Sequence, residues 1–148
     1  MKLTPLSEYV GYALRRAQGV LFADFNHTLA ELGLRPGQFA VLVLIEQNPG
    51  ASQSNVSGAL GIQKANFVST IADLETRGFV RRCKSESDGR TYLLTLTTRG
   101  RTLLQHAYQL QARHEGRVAA HLGPEERLQL LSLLQRLANM PREYEHPK

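Results

Sequence analysis

Gln63, Lys64, Asn66 and Ser69 lie within two helical turns of one another, and their side chains are of the kinds that read base edges. A carboxamide pairs bidentately with adenine, which suits Gln63 and Asn66, while Lys64 can reach guanine or a phosphate. Phe67, Ile71 and Leu74 recur at i, i+4, i+7, so theirs is the core side of a helix. Ala65, Asn66, Ser69 and Asp73 then fall opposite, where small and polar groups allow close approach to a groove. A solvated helix face would account for any one of these residues; the pattern carries the case. Asp73 would repel phosphate from that side. It can pair with Arg77 at i+4, the favoured orientation, or accept from a cytosine amino group.

A second constellation follows. Arg81, Arg82 and Lys84 occupy a short β-rich run, and Asp88-Gly89-Arg90 forms the tip before the returning run Thr91–Leu96. A basic hairpin can lie along a nucleic-acid backbone and place one arginine in a minor groove. Arg90 is the candidate for that role, Gly89 for a tight turn, and Asp88 for holding a neighbouring arginine. The charge balance agrees. The net charge is +5, and the segment Arg77–Arg101 holds seven cations against Glu86 and Asp88. The rest of the chain is balanced, so the excess sits in 25 residues, as a polyanion partner requires.

Other reactive groups are sparse. Tyr9, Tyr12 and Arg16 share one flank of the first helix, with Arg15 beside them. Rings next to a guanidinium suit an aromatic carboxylate, which stacks and pairs bidentately; surface or interface residues would look the same. His106, His114 and His121 are spaced two turns apart, too far for one metal on one helix, so no metal and no cofactor is expected. Cys83, the only cysteine, lies between Arg82 and Lys84, where cations can lower a thiol pKa. A lone thiol staples nothing, which fits a reducing cytoplasm. Nucleophile elbow, phosphate-cradling loop and metal-ligand cluster are all missing from the sequence, so an enzyme is not expected.

The elements that would position these residues can be read from periodicity. Residues 6–32 form one long helix, stopped at Gly33, with Leu6, Val10, Ala13, Ala17, Val20, Leu21 and Phe25 as its apolar side. Pro36 opens a second helix. After the turn Asn48-Pro49-Gly50 comes a short helix to Leu60, capped by Ser52 or Ser54, with Val56, Ala59 and Leu60 inward. Gly61 separates it from the helix 63–77, which Gly78 closes. The pair has helix-turn-helix spacing. Thr97 or Thr98 caps a long helix to Leu122, and Gly123-Pro124-Glu125-Glu126 starts a last one to about Met140. That last helix bears leucines on more than one face, which calls for a second partner. The tail after Pro141 should be loose.

The 148 residues, 42% hydrophobic, suffice for one domain with a real core. No apolar run nears the roughly 20 residues of a membrane span, and the amino terminus lacks an export core.

Five stretches together resemble the MarR-type family of winged helix-turn-helix regulators over nearly the whole chain. They are Gly33-Leu34-Arg35-Pro36-Gly37-Gln38-Phe39-Ala40-Val41-Leu42, Leu60-Gly61-Ile62, Leu74-Glu75 with Gly78-Phe79-Val80, Asp88-Gly89-Arg90, and Leu94-Thr95-Leu96-Thr97 with Gly100. Two positions depart from the family pattern: Gly89 stands where an arginine is frequent in the wing, and Asp73 where a basic residue is common. The resemblance implies an obligate homodimer joined by helices from both chain ends, repression relieved by a small ligand, and Arg90 as the wing-tip arginine. Such proteins often bind aromatic acids between the dimer helices and the DNA-binding lobe, and some sense peroxides through a cysteine in the first helix, which this chain lacks.

The expected architecture is mainly α with a small β-hairpin: a winged lobe over residues 34–98 and a helical dimerisation region over 1–33 and 99–141. The expected function is sequence-specific, double-stranded DNA binding by a homodimeric, cytoplasmic repressor that an aromatic carboxylate or its thioester releases, without a membrane partner. The rival is a non-specific architectural DNA-binding protein.

Overall fold

The computed structural model describes residues 5–141; the stretch after Pro141, expected to be loose, lies outside it. The elements run α1 (Val10–Leu29), α2 (Pro36–Gln47), β1 (Ala51–Ser52), α3 (Gln53–Leu60), α4 (Lys64–Thr76), β2 (Val80–Lys84), β3 (Tyr92–Leu96), α5 (Thr98–Leu122) and α6 (Pro124–Ala138). Short 3-10 turns flank α1 at Leu6–Glu8 and Ala30–Leu32. No single helix is long and apolar enough to cross a membrane.

Two compact units meet at the Gln111–Ala112 junction, inside α5. In the first, Leu29 of α1, Leu42 of α2, Phe67 and Ile71 of α4, Leu94 of β3 and Leu104 of α5 close a core without solvent exposure to speak of. Leu29 and Leu104 share that core with the winged lobe, so the first unit extends beyond the expected lobe of residues 34–98. In the second unit, Glu115 of α5 accepts from Arg127 of α6, its Oε2 lying 2.9 Å from Nε. α6 contains no buried residue.

Local chemistry explains the helix-turn-helix. The Ser52 hydroxyl accepts from the Asn55 backbone N–H at 3.1 Å, which makes Ser52 and not Ser54 the α3 cap. Gly61 ends α3 in the left-handed region (φ 62), where a side chain would be strained, and the Ile62 N–H closes the turn on the Ser57 carbonyl. Val56 is buried as expected, whereas Ala59 is exposed; Ser57 takes the inward place, its hydroxyl satisfied by the Ser54 carbonyl at 3.1 Å.

The sheet has one more strand than the sequence suggested. Its order is β1-β3-β2, all antiparallel, with Val80 opposite Leu96, Lys84 opposite Tyr92, and Ala51 opposite Leu94. At two residues, β1 carries no period of its own. It exists because β3 offers a free edge just where the chain leaves the Asn48–Gly50 turn.

The start of α5 is pinned to the wing. The Thr97 hydroxyl caps the Gly100 N–H at 2.9 Å and donates to the Gly78 carbonyl at 2.7 Å. Gly100 lies so close to the Phe79 carbonyl that no Cβ fits there. On the other side of the core, Tyr108 donates to Glu46 at 2.7 Å. Burial first, then the Glu46 hydrogen bond and charge, push the Tyr108 phenol up to about 12.

The first helix, assigned to the dimerisation region, is largely unburied within the single chain. Much of the apolar side of α1 is bare: Val10 is 65% and Val20 71% exposed, and of the stripe from Leu6 to Phe25 only Phe25 packs against the core, edge-on to Phe39.

Candidate nucleic-acid interface

α4 is held in rotation by a contact on each flank. Phe67, Ile71 and Leu74 are buried, so Ala65, Ser69, Ala72 and Thr76 point away from the core. On the α2 flank, Asp73 Oδ2 accepts from Gln38 Nε2 at 2.8 Å and from Arg77 at 3.4 Å. The other end of the Gln38 carboxamide accepts from the Arg35 N–H at 3.0 Å. The Arg77 pairing is therefore the one adopted, with Gln38 as a second partner that the sequence did not reveal. On the wing flank, Arg82 Nε lies 2.7 Å from Glu75 Oε2. Its guanidinium also stacks 5.4 Å from the Tyr92 ring centroid.

These contacts divide the seven cations of the basic segment. Arg77 is spent on Asp73, the Leu32 carbonyl at 3.3 Å and the Phe79 ring at 4.9 Å. Arg82 is spent on Glu75 and Tyr92. Arg99 lies 5.2 Å from the Phe79 ring centroid, and Arg101 donates to the Leu96 carbonyl at 3.1 Å. Arg81, Lys84 and Arg90 project outward and are exposed, as is Lys64 on α4. Strand alternation separates Arg81 from Arg82, while Lys84, on the Arg82 face, is exposed at the wing end of β2 opposite Tyr92. Arg82 shares its face with Val80 and the opposite Leu94, so it turns toward α4, while Arg81 turns away. Of the expected DNA-contacting set, Arg82 is thus the one directed into the protein.

The wing tip is a loop closed by its own side chains. Asp88 accepts from the Thr91 hydroxyl at 2.7 Å and from the Arg90 N–H at 3.0 Å. Those two bonds, in that order, hold its carboxyl below the usual value. The Ser85 N–H donates to the Thr91 carbonyl at 2.9 Å. Asp88 therefore shapes the turn through the Arg90 backbone and does not hold a guanidinium. Gly89 does not adopt a left-handed backbone, and a Cβ there would meet nothing, so the turn does not depend on glycine. Cys83 is exposed on the Arg81 side of β2.

Asn66 and Ser69 are exposed as their spacing implied, and Gln63 and Lys64 are exposed at the amino-terminal end of α4. On α1, Tyr12 and Arg16 line a shallow pocket of about 320 Å³ with Ser7, Ala13 and Val20. Arg15 and Arg16 line another, of about 540 Å³. Tyr9 is 57% exposed and belongs to neither. A larger cavity of about 760 Å³ lies between Phe22 and Asn26 of α1, the Arg35–Gln38 turn, and Ser69 and Asp73 of α4. Nothing in the sequence pattern marked it, because its walls come from three elements distant in the chain. Among the described residues no three His, Cys, Asp or Glu side chains gather as a metal site.

The MarR family profile matches residues 32–91. A putative transcriptional regulatory protein for the hcr operon of Thauera aromatica is 34% identical over 86% of this chain and 78% of its own. The chain belongs to the MarR family. A further member, the HTH-type transcriptional repressor Rv2887 of Mycobacterium tuberculosis, is 30% identical over 88% of this chain and 94% of its own. Among solved structures, the repressor CouR bound to a 23-mer DNA duplex superimposes with a TM-score of 0.92 at 45% identity, covering 94% of this chain and 99% of that one. CouR bound to p-coumaroyl-CoA gives 0.88 at 42%, covering 95% and 99%. The winged helix-turn-helix of this family member is that of a DNA-binding transcription regulator, not of an enzyme.

Proposed function

We propose that this MarR-family protein is a cytoplasmic, homodimeric repressor of a near-palindromic operator. α4 enters the major groove, and the wing lies along the neighbouring backbone with Arg90 at its tip. The observation that carries this reading is the sorting of charge. Arg77 and Arg82 are paired with carboxylates of the lobe, while Lys64, Arg81, Lys84 and Arg90 remain exposed beside the base-reading Gln63, Asn66 and Ser69. That the related CouR has been captured on a DNA duplex supports it. An architectural protein needs outward charge but no exposed carboxamides, so the specific reading is preferred.

A second copy would cover what the single chain leaves bare. α1 exposes Val10, Val20 and Phe22, and α6 exposes Leu128, Leu131 and Leu133. Apolar faces of this extent on two helices are what an obligate interface buries. The dimerisation role assigned to residues 1–33 and 99–141 rests on them. With two copies paired, the reading helices would meet successive major grooves, and half-site centres would lie ~10 bp apart.

The proposed effector is an aromatic carboxylate or its thioester. Tyr12 and Arg16 form one wall of a pocket on α1, Arg15 lies beside them, and Tyr9 stands exposed one turn earlier. CouR's complex with an aromatic acyl-CoA supports this class. Selection of bound duplexes from a random pool, followed by footprinting, tests the repressor reading. The expected result is a two-fold site bound ~10³-fold or more above random DNA. Equal affinity for all sequences, or a monomer at micromolar concentration, overturns it. An aromatic-acid panel titrated against the operator complex should release wild type and not the Arg15→Ala/Arg16→Ala double variant.

A further inference from the structure

Beyond its first turn, the charged residues of α4 are engaged by protein partners. Asp73 is engaged by Gln38 and Arg77, Glu75 by Arg82, and Arg77 by Asp73 and the Leu32 carbonyl. The Thr70 hydroxyl donates to the Asn66 carbonyl of its own helix at 2.9 Å. What still points outward is Ala65, Val68, Ser69, Ala72 and Thr76. Val68 is the largest apolar group of that set. It is 48% exposed and shares a cleft of about 190 Å³ with Lys64, Arg90 and Tyr92.

In the major groove one base feature is recognised without a hydrogen bond: the C5-methyl of thymine. A β-branched side chain with a single preferred rotamer in a helix is well suited to meet it. The cations beside Val68 have the charge to hold the two phosphate strands that bound such a groove. We infer that Val68 is a specificity-determining residue that reads a thymine methyl in each operator half-site, with Ala65 and Ala72 giving the clearance for close approach. This rests on the major-groove role of α4 proposed above. It adds an apolar contact past the first turn, beside Ser69, that selects A·T pairs by their methyl groups.

The test replaces thymine by deoxyuridine, one position at a time, in the duplex that wild type selects from a random pool. Base pairing is kept and only the methyl is lost. Removing one buried methyl is expected to weaken wild type about fourfold, and about fifteenfold when both half-sites are changed. Val68→Ala, which changes both half-sites, is expected to bind the natural duplex about as weakly as wild type binds the duplex with uracil in both, and to lose no more on uracil substitution. Equal binding of both proteins to the uracil duplex shows in the same experiment that the variant is folded. If no single uracil position weakens wild type, or if Val68→Ala is as sensitive as wild type at the same position, the assignment is overturned while the repressor reading stands. A selection that returns no preferred sequence overturns the repressor reading, and this inference with it.

Discussion

Arg82 and Arg90 lie eight residues apart in one basic hairpin, yet the structure gives them opposite work, and salt dependence separates the two. Binding that neutralises Z phosphates releases counterions, so log K falls with log salt at about −0.9Z. The exposed cations of α4 and the wing hairpin are Lys64, Arg81, Lys84 and Arg90. A dimer presents each twice, which gives a slope of about −7. Between 50 and 200 mM salt, wild type should then weaken about 2 × 10⁴-fold. Arg90→Ala removes two contacts and should reduce the slope to about −5.4 and the loss to about 2 × 10³-fold. Arg82→Ala should leave the slope unchanged, because its guanidinium is already paired with Glu75 and stacked on Tyr92. Its effect should appear in stability instead. A partly exposed ion pair and a cation–π contact together are worth about 1 kcal/mol, or roughly 2–5 °C in Tm for a domain of this size. Fluorescence anisotropy on a labelled operator over a salt series, with thermal unfolding of the same samples, measures both. If Arg82→Ala flattens the slope as much as Arg90→Ala does, the division of the basic segment is wrong.

Three further outcomes are expected. Asn66→Ala should cost roughly 1–3 kcal/mol on the operator while leaving random-sequence binding almost intact, read by competition at fixed salt; equal losses on both would remove Asn66 from base readout. Gly100→Ala should destabilise by at least about 2 kcal/mol in denaturant unfolding, because the new methyl collides with the Phe79 carbonyl, which is backbone and cannot swing away; wild-type stability would show that the first turn of α5 can shift freely. Tyr108→Phe should cost about 0.5–1.5 kcal/mol near neutral pH through its lost bond to Glu46. Since the folded phenol is raised from 10.0 to about 12, that contribution is complete below pH 10 and disappears as pH rises through about 12. The gap between wild type and variant in alkaline unfolding curves should close over that window, and a gap that is constant across it would refute the linkage.

Much of this protein could be read from local pattern. The stripe Phe67, Ile71, Leu74 determined which side of α4 faces solvent, and hence that Asn66 and Ser69 are outward, because a helix repeats every 3.6 residues whatever surrounds it; Gln63 and Lys64 stand at its amino-terminal end. Ser52, Gly61, Gly78 and Pro124 marked helix ends for equally local reasons of capping and backbone freedom. Contacts across the fold could not be read that way. Gln38 meets Asp73 across 35 residues, and Tyr108 meets Glu46 across 62. β1 exists only because β3 passes beside it. Charge was the most misleading of the local signals. Seven cations in 25 residues looked like one patch, since sequence counts charges but does not say which are already paired. Only the folded chain, by turning Arg81 and Arg82 to opposite faces and bringing Glu75 under Arg82, decides that Arg77 and Arg82 are paired with carboxylates while Arg81, Lys84 and Arg90 stay exposed without one.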